Sequence, residues 1–129
     1  MDRKIAGHFT RLVESARVHF EAVEYNIDGT PKRMILRLTA SYKNYKILLT
    51  ELYSDQGFQY RYYVLENQFV KAGFDNAPDP RAIRLKYGKI GKEHSGEFVS
   101  HLHLDDKKQL VLTEVMSFDG FITWLLINL

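Results

Sequence analysis

The chain has 129 residues, of which 45% are hydrophobic and 26% are charged, as is typical of one soluble globular domain. Its net charge of +2 neither excludes nor indicates nucleic-acid binding, and the absence of cysteine excludes disulfides and thiolate chemistry. The N-terminal residues lack the apolar core of a signal peptide, and no apolar run is long enough to cross a bilayer. We therefore expect a cytoplasmic protein without a membrane partner.

The first predicted element is a helix, which Asp2 can cap. Its apolar residues recur at the spacing that forms one buried helical stripe: Ile5, Phe9, Leu12, Val13, Ala16, Phe20 and Val23. A turn at residues 28–31, which read Asp-Gly-Thr-Pro, ends this helix.

Two strands follow, at residues 34–42 and 45–53, and a two-residue turn joins them. This register places Glu51 on the apolar face that Leu36 and Leu38 share. Two interpretations of Glu51 are open. It is either a paired or solvated carboxylate at the end of its strand, or a partly buried acid whose raised pKa suits proton transfer.

A β-hairpin is predicted next, because residues 58–65 and 69–76 both show the period of a strand. A three-residue loop at residues 66–68 gives the register that places Tyr60 opposite Phe74 and collects the apolar residues on one face.

The other face of this hairpin carries Arg61, Lys71 and Asp75. In the predicted register Arg61 lies diagonal to Asp75, within reach of a long side chain. The two residues form either an ion pair on a solvated face or one wall of a site.

Residues 77–80 read Ala-Pro-Asp-Pro and cannot readily continue the strand. The next segment, residues 81–96, is expected to be a mobile loop with at most a short ordered piece. It is either a solvated insertion or a loop that holds a phosphate backbone. Its basic residues include Arg84, Lys86, Lys89, Lys92 and His94.

Two short strands are predicted at residues 98–104 and 109–115, and Ser117 then caps a C-terminal helix. The helix has one apolar stripe: Phe118, Phe121, Ile122, Leu125, Leu126 and Leu129. The whole pattern predicts a single α+β domain over residues 1–129. In this domain an antiparallel β-sheet has the N-terminal and C-terminal helices packed on one face.

His101 and His103 are the strongest chemical signal, since two residues at this spacing on a strand point to one face. They can act as base and acid in the transesterification of RNA, with Arg61 stabilising charge on the phosphate. They can instead hold Zn²⁺ or Mn²⁺ with Asp75 or Glu51 as a third ligand, or form a surface or packed pair with neither role. No other cofactor is indicated.

Three motifs together resemble one protein family. Tyr60-Arg61-Tyr62 is followed by Phe-Asp-Asn-Ala-Pro at residues 74–78, and His101-Leu102-His103 precedes an apolar C-terminal helix. This combination, after a strand with a glutamate, resembles the TumE family of prokaryotic toxins over residues 34–129. The resemblance implies the toxin of a toxin–antitoxin pair, with a cognate antitoxin protein as its partner.

We hypothesise that the chain cleaves RNA, and we name two sets of site residues. The catalytic set is His101, His103, Arg61, Asp75 and Glu51. The substrate-binding set, whose aromatic members would stack on bases, is Tyr60, Tyr62, Tyr63, Lys71, Asn76, Lys86, Lys89 and Lys92. Two alternatives are a metal-dependent phosphoesterase that uses the histidines with both acids, and a non-catalytic module that holds nucleic acid or a protein.

Overall fold

A computed structural model describes residues 3–88 and 92–129, so that Asp2, the expected helix cap, lies outside the described residues. A single 3₁₀ turn spans Lys92–His94. The helices and strands, in chain order, are α1 (Arg3–His19), β1 (Glu21–Thr30), β2 (Arg33–Tyr42), β3 (Tyr45–Ser54), β4 (Gly57–Glu66), β5 (Phe69–Asp75), α2 (Pro80–Tyr87), β6 (His101–Leu104), β7 (Gln109–Leu112) and α3 (Phe118–Asn128).

The strands form one seven-stranded antiparallel sheet in the order β1 to β7, so that each strand pairs with its neighbours in sequence. Helices α1 and α3 pack together on one face of this sheet, which we call the helix face; the opposite side is the second face. The core on the helix face includes Phe9 and Leu12 of α1, Tyr62 of β4 and Phe121 of α3. The predicted α+β fold, with both terminal helices on one face of an antiparallel sheet, is therefore confirmed.

The N-terminal helix is shorter than predicted. It ends at His19, and the chain then forms the edge strand β1 instead of continuing helically to Val23 and turning at residues 28–31. Phe20 still lies in the core, as the apolar stripe indicates. The prediction is wrong because the side chains of β1 are almost all exposed, and pairing of its backbone with β2 rather than burial fixes the strand.

The hairpin of β2 and β3 is confirmed in its register. Tyr42 pairs with Tyr45 across the two-residue turn, and Leu36 lies opposite Glu51. Glu51 therefore lies on the helix face, in line with the apolar residues of both strands.

The hairpin of β4 and β5 forms, but the predicted three-residue loop is wrong. Asn67 and Gln68 make a two-residue turn, with φ of 48° and 73°, which is the left-handed region that such turns need. A bulge at Lys71 then moves the register by one residue, so that Arg61 pairs directly with Asp75. Because the bulge restores the alternation, the apolar residues of both strands still share the helix face.

The segment expected to be a mobile loop with a short ordered piece begins with the eight-residue helix α2. Asp79 caps this helix by accepting a hydrogen bond from the Arg81 N–H at 2.8 Å, and Pro80 occupies its first turn. Gly88 ends it in the left-handed conformation, with φ of 77°. The helix packs on the second face through a small apolar cluster: Ala82, Ile83, Tyr87, Val99 and Leu110. The helix has only eight residues and buries only Ala82 and Ile83, so its apolar pattern in the sequence is short.

The last three elements agree with prediction in type. The strands β6 and β7 are shorter than expected, and α3 begins after Ser117, whose hydroxyl oxygen accepts a hydrogen bond from the Gly120 N–H at 3.0 Å. Within the described residues, none of the helices combines the length and the apolar character that spanning a membrane requires.

Candidate functional site

A row of polar residues crosses the second face, one from each of five consecutive strands. Arg37 of β2 pairs with Thr50 of β3, and Thr50 pairs with Arg61 of β4. The row continues from Arg61 to Asp75 of β5 and from Asp75 to His101 of β6. Since paired residues of an antiparallel sheet project to the same side, the backbone alone places these five side chains in line.

The end of this row is a compact triad formed by Asp75, His101 and His103. His101 Nε2 lies 3.0 Å from Asp75 Oδ1, and His103 Nε2 lies 3.4 Å from Asp75 Oδ2. The two Nε2 atoms are 3.1 Å apart. The three residues are almost completely buried, with exposed fractions of 3%, 0% and 4%. We call them the Asp-His-His triad.

Groups around the triad fix the orientation of its members. The Tyr63 hydroxyl donates to Asp75 Oδ2 at 2.7 Å, and the Ala77 N–H donates to Asp75 Oδ1 at 2.9 Å. His101 Nδ1 is 2.6 Å from the carbonyl oxygen of Val99. Because a carbonyl oxygen only accepts, Nδ1 of His101 carries a proton.

The pKa values of the triad are shifted in opposite directions. Burial alone would raise the pKa of Asp75, but the hydrogen bonds from His101 and Tyr63 outweigh it and bring the pKa to about 2. Burial likewise opposes the charge on His101, yet the hydrogen bonds to Asp75 and Val99 raise its pKa. Burial lowers the pKa of His103, and its Nδ1 is buried without a hydrogen-bond partner among the described residues. The shifts thus favour the ionised form of Asp75, the protonated form of His101 and the neutral form of His103.

Arg61 and a cleft border the triad. The cross-strand ion pair between Arg61 and Asp75, one of the two expected alternatives, is not formed between these described residues; the Arg61 guanidinium instead lies 5.3 Å from the centre of the Tyr63 ring. A cleft of about 290 Å³ is lined by Arg37, Thr50, Arg61 and Asp75 together with Ile35, Leu52, Gln59, Tyr60, Asn76 and Ala77. The cleft thus joins the two arginines to the edge of the triad.

Glu51, a member of the predicted catalytic set, is not part of this site. It lies on the helix face, on the opposite side of the sheet from the triad. Its carboxylate is 1% exposed and accepts a hydrogen bond from the Tyr62 hydroxyl at 2.6 Å. His8 of α1 contacts its other oxygen at 2.7 Å. Of the two interpretations of Glu51, the structure supports a paired carboxylate.

Three tyrosines of the predicted substrate-binding set are buried. Tyr60 and Tyr62 lie in the core on the helix face, and Tyr63 lies on the second face with 6% of its surface exposed. A ring must expose one side to stack on a base, so this conformation does not support stacking by any of the three. The hydroxyl of Tyr63 instead orients Asp75.

Asn76 and the lysines of the same set occupy separate places. The Asn76 side chain bonds the backbone of β4, accepting from Tyr60 N–H at 3.0 Å and donating to the Phe58 carbonyl at 2.8 Å. Lys71 is exposed at the bulge of β5, and Lys86 is exposed on α2. Lys92 begins the 3₁₀ turn; Lys89 lies outside the described residues.

Sequence reasoning missed Arg37, Thr50 and the role of Tyr63. The confirmed two-residue turn between β2 and β3 already puts Arg37 opposite Thr50, so this pair could have been found. Gly73 is a second usable signal, because a glycine inside a strand marks a close approach. A Cβ atom at Gly73 would come within 2.8 Å of the Tyr63 ring, so the glycine leaves room for Tyr63 to reach Asp75.

Comparison of the chain with models of protein families, with curated proteins and with solved structures found no match.

Proposed function

We propose that this protein is a cytoplasmic toxin of a prokaryotic toxin–antitoxin pair, and that it cleaves RNA on the second face of its sheet. The single observation that carries the catalytic part is the line of Arg37, Thr50 and Arg61 leading to the Asp-His-His triad. The toxin part of the proposal is supported in addition by the resemblance of the motifs at Tyr60, Asp75 and His101 to the TumE family.

The two arginines would hold the phosphate backbone. Arg37 and Arg61 are both exposed, and they lie two strands apart, roughly 10 Å at the usual strand spacing. Guanidinium groups bind phosphate oxygens through paired hydrogen bonds. A single strand of RNA laid across β2, β3 and β4 would therefore reach the triad at its end.

The triad would be the reaction centre. In transesterification the 2′-oxygen of RNA bonds to phosphorus and the bond from phosphorus to the 5′-oxygen breaks. One proton leaves the 2′-hydroxyl and one reaches the departing 5′-oxygen. Arg61, next to Asp75 in the row, would stabilise the charge on the phosphate oxygens.

The imidazoles can serve this reaction by exchanging those protons or by holding a cation that activates the attacking hydroxyl. Both ring nitrogens of His101 are already engaged, one with Val99 and one with Asp75 and His103. Its ring is also fully buried. This placement favours the second role over direct proton exchange with a substrate.

The test is RNA cleavage by the pure protein together with growth after induced expression. The wild type should shorten RNA and stop growth, and co-expression of a small neighbouring gene, the expected antitoxin, should restore growth. The double variant His101→Ala/His103→Ala should do neither, while His94→Gln, which changes a histidine outside the triad that is paired with Glu97, should behave as the wild type.

Two results would contradict the proposal. If pure wild-type protein binds RNA and leaves it intact, the protein is a binding module. If the double variant remains fully toxic with the wild-type fold, the triad is not the reaction centre.

A further inference from the structure

Three potential ligand atoms converge at the Asp-His-His triad. They are the Nε2 atoms of His101 and His103 and one carboxylate oxygen of Asp75, and all lie within 4.8 Å of one another. Within the described residues this is the one group of three or more such side chains. All three members are buried, so the cluster is not a chance gathering of solvated side chains.

The spacing of these atoms fits one metal ion. Bonds of about 2.1 Å from imidazole nitrogen or carboxylate oxygen to a divalent ion put two ligands about 3.0 Å apart at a right angle and about 3.4 Å apart at the tetrahedral angle. His101 Nε2 lies 3.0 Å from Asp75 Oδ1 and 3.1 Å from His103 Nε2, and His103 Nε2 lies 3.4 Å from the other carboxylate oxygen, Oδ2. Each imidazole therefore has the separation from the other imidazole and from the carboxylate group that coordination to a common ion requires.

Tautomer chemistry points the same way. Because Nδ1 of His101 donates to the Val99 carbonyl, the lone pair of a neutral His101 is on Nε2 and faces the Asp75 carboxylate and His103 Nε2. Whenever His103 also presents the lone pair of its Nε2, two lone pairs and a carboxylate face one another, and they repel unless a proton or a cation lies between them. A metal ion would satisfy all three at once.

Two members of the triad, His101 and Asp75, have surrounding contacts of the kind that metal sites use. Metal-bound histidines commonly donate their other ring N–H to a backbone carbonyl, and metal-bound carboxylates accept further hydrogen bonds. His101 makes the first contact with Val99. Asp75 makes the second with Tyr63 and Ala77.

We propose that Asp75, His101 and His103 bind one divalent transition-metal ion, with Zn²⁺ as the first candidate. The remaining coordination positions of the ion would face the cleft beside Arg61. Two imidazoles and one carboxylate are a ligand set for zinc in hydrolytic enzymes and also suit manganese or iron. The site is built on adjacent positions of β5 and β6, which are rigid strands and not loops. Use of the ion in cleavage depends on the proposed function, whereas binding of the ion does not.

The experiment is a calorimetric titration of the metal-free full chain with Zn²⁺ in the absence of RNA. The wild type should bind one equivalent. Asp75→Asn and His103→Gln should each weaken binding at least about 100-fold, because each removes one of three ligands. Tyr63→Phe should weaken it by about 10-fold through the lost hydrogen bond to Asp75, and the matched control His94→Gln should bind as the wild type.

A measurement on the wild type alone guards against variants that fail to fold. The chain has five histidines. In ¹⁵N-labelled protein, one equivalent of Zn²⁺ should shift the Nε2 resonances of His101 and His103 and leave those of His8, His19 and His94 in place. No binding by the wild type, or shifts confined to the other histidines, would overturn the assignment. Binding at the triad without RNA cleavage would support the site and contradict the proposed function instead.

Discussion

Two buried carboxylates lie on opposite faces of the same sheet and differ in what surrounds them. Consecutive residues of β4 donate to them: Tyr62 to Glu51 on the helix face, and Tyr63 to Asp75 on the second face. Glu51 also contacts His8, which comes from α1 and is 38% exposed. Its contacts thus link a helix to the sheet.

Asp75 has its histidine partners on a neighbouring strand, and both are buried with it. It also borders the cleft that Arg37 and Arg61 line. The comparison shows that burial and a tyrosine donor do not by themselves distinguish a site, since both acids have them. The distinguishing feature is the convergence of several basic atoms on one point beside an open, positively charged cleft.

The largest expected difference between the two carboxylates is in activity. The double substitution His101→Ala/His103→Ala, which removes both imidazoles that contact Asp75, should lower RNA cleavage at least about 10³-fold, since the proposed reaction centre is lost. The substitution His8→Ala, which removes the imidazole that contacts Glu51, should change RNA cleavage less than about threefold. Single-turnover cleavage of a labelled RNA measures both, and equal losses in the two variants would contradict the assignment.

Acid unfolding of the metal-free protein should sharpen the comparison on the Asp75 side. Its folded pKa is lowered from 3.8 to about 2, so its contribution is present above the unfolded pKa and is lost as the pH falls from about 4 to about 2. At 1.36 kcal/mol per pKa unit the lost stability is about 2 kcal/mol.

The Asp75→Asn variant should lack this loss, so the difference in unfolding free energy between it and the wild type should shrink over that range. Above this pH range, the raised pKa of His101 and the lowered pKa of His103 change the unfolding free energy in opposite directions. Urea unfolding at a series of pH values measures the effect. A constant difference between the two proteins from pH 4 to 2 would show that Asp75 is not held in its ionised form.

The two tyrosines should separate stability from function. Tyr62→Phe removes a donor to a buried carboxylate that has one other contact, and should cost about 2 kcal/mol of unfolding free energy with cleavage unchanged. Tyr63→Phe should cost about 1 kcal/mol, because Asp75 keeps the Ala77 N–H and His101, but it should slow cleavage. Denaturant unfolding curves and cleavage rates of both variants test this expectation. An equal loss of cleavage in Tyr62→Phe and Tyr63→Phe would contradict it.

The smallest effect is expected for the arginines of the polar row on the second face. Arg61→Gln should weaken RNA binding by about 10-fold through the lost contact with phosphate, and it should make the binding less dependent on salt. Lys71→Gln, the same change of charge at the exposed bulge of β5, is the matched control and should change binding little. Equal effects in a filter-binding assay would indicate a diffuse electrostatic attraction without a path along Arg37 and Arg61.

Much of the fold could be predicted from the sequence because its strands are consecutive. Two-residue turns transmit the register from strand to strand. The register predicts that Arg37 lies opposite Thr50, and it predicts the face on which each residue of β4 lies. The bulge at Lys71 could not be predicted, since a bulge and a longer loop give the same alternation of faces. The strand β1 and the helix α2 were hidden because few of their side chains are buried.

The site was predictable in composition but only partly in arrangement. His101 and His103 share a face as strand geometry requires. Their pairing with Asp75 depends on how residues 76–100 return the chain to the edge of β5, which local patterns do not determine. The contact of His8 with Glu51 likewise depends on how α1 docks on the sheet, so the sequence could not show which acid belongs to the site.

Anomalous X-ray diffraction at the zinc edge, from crystals of the protein soaked in Zn²⁺, tests the central claim most directly. The account predicts a strong peak about 2.1 Å from Nε2 of His101, Nε2 of His103 and a carboxylate oxygen of Asp75. A peak confined to the Glu51–His8 pair on the helix face, or no peak at the triad at saturating zinc, would contradict it.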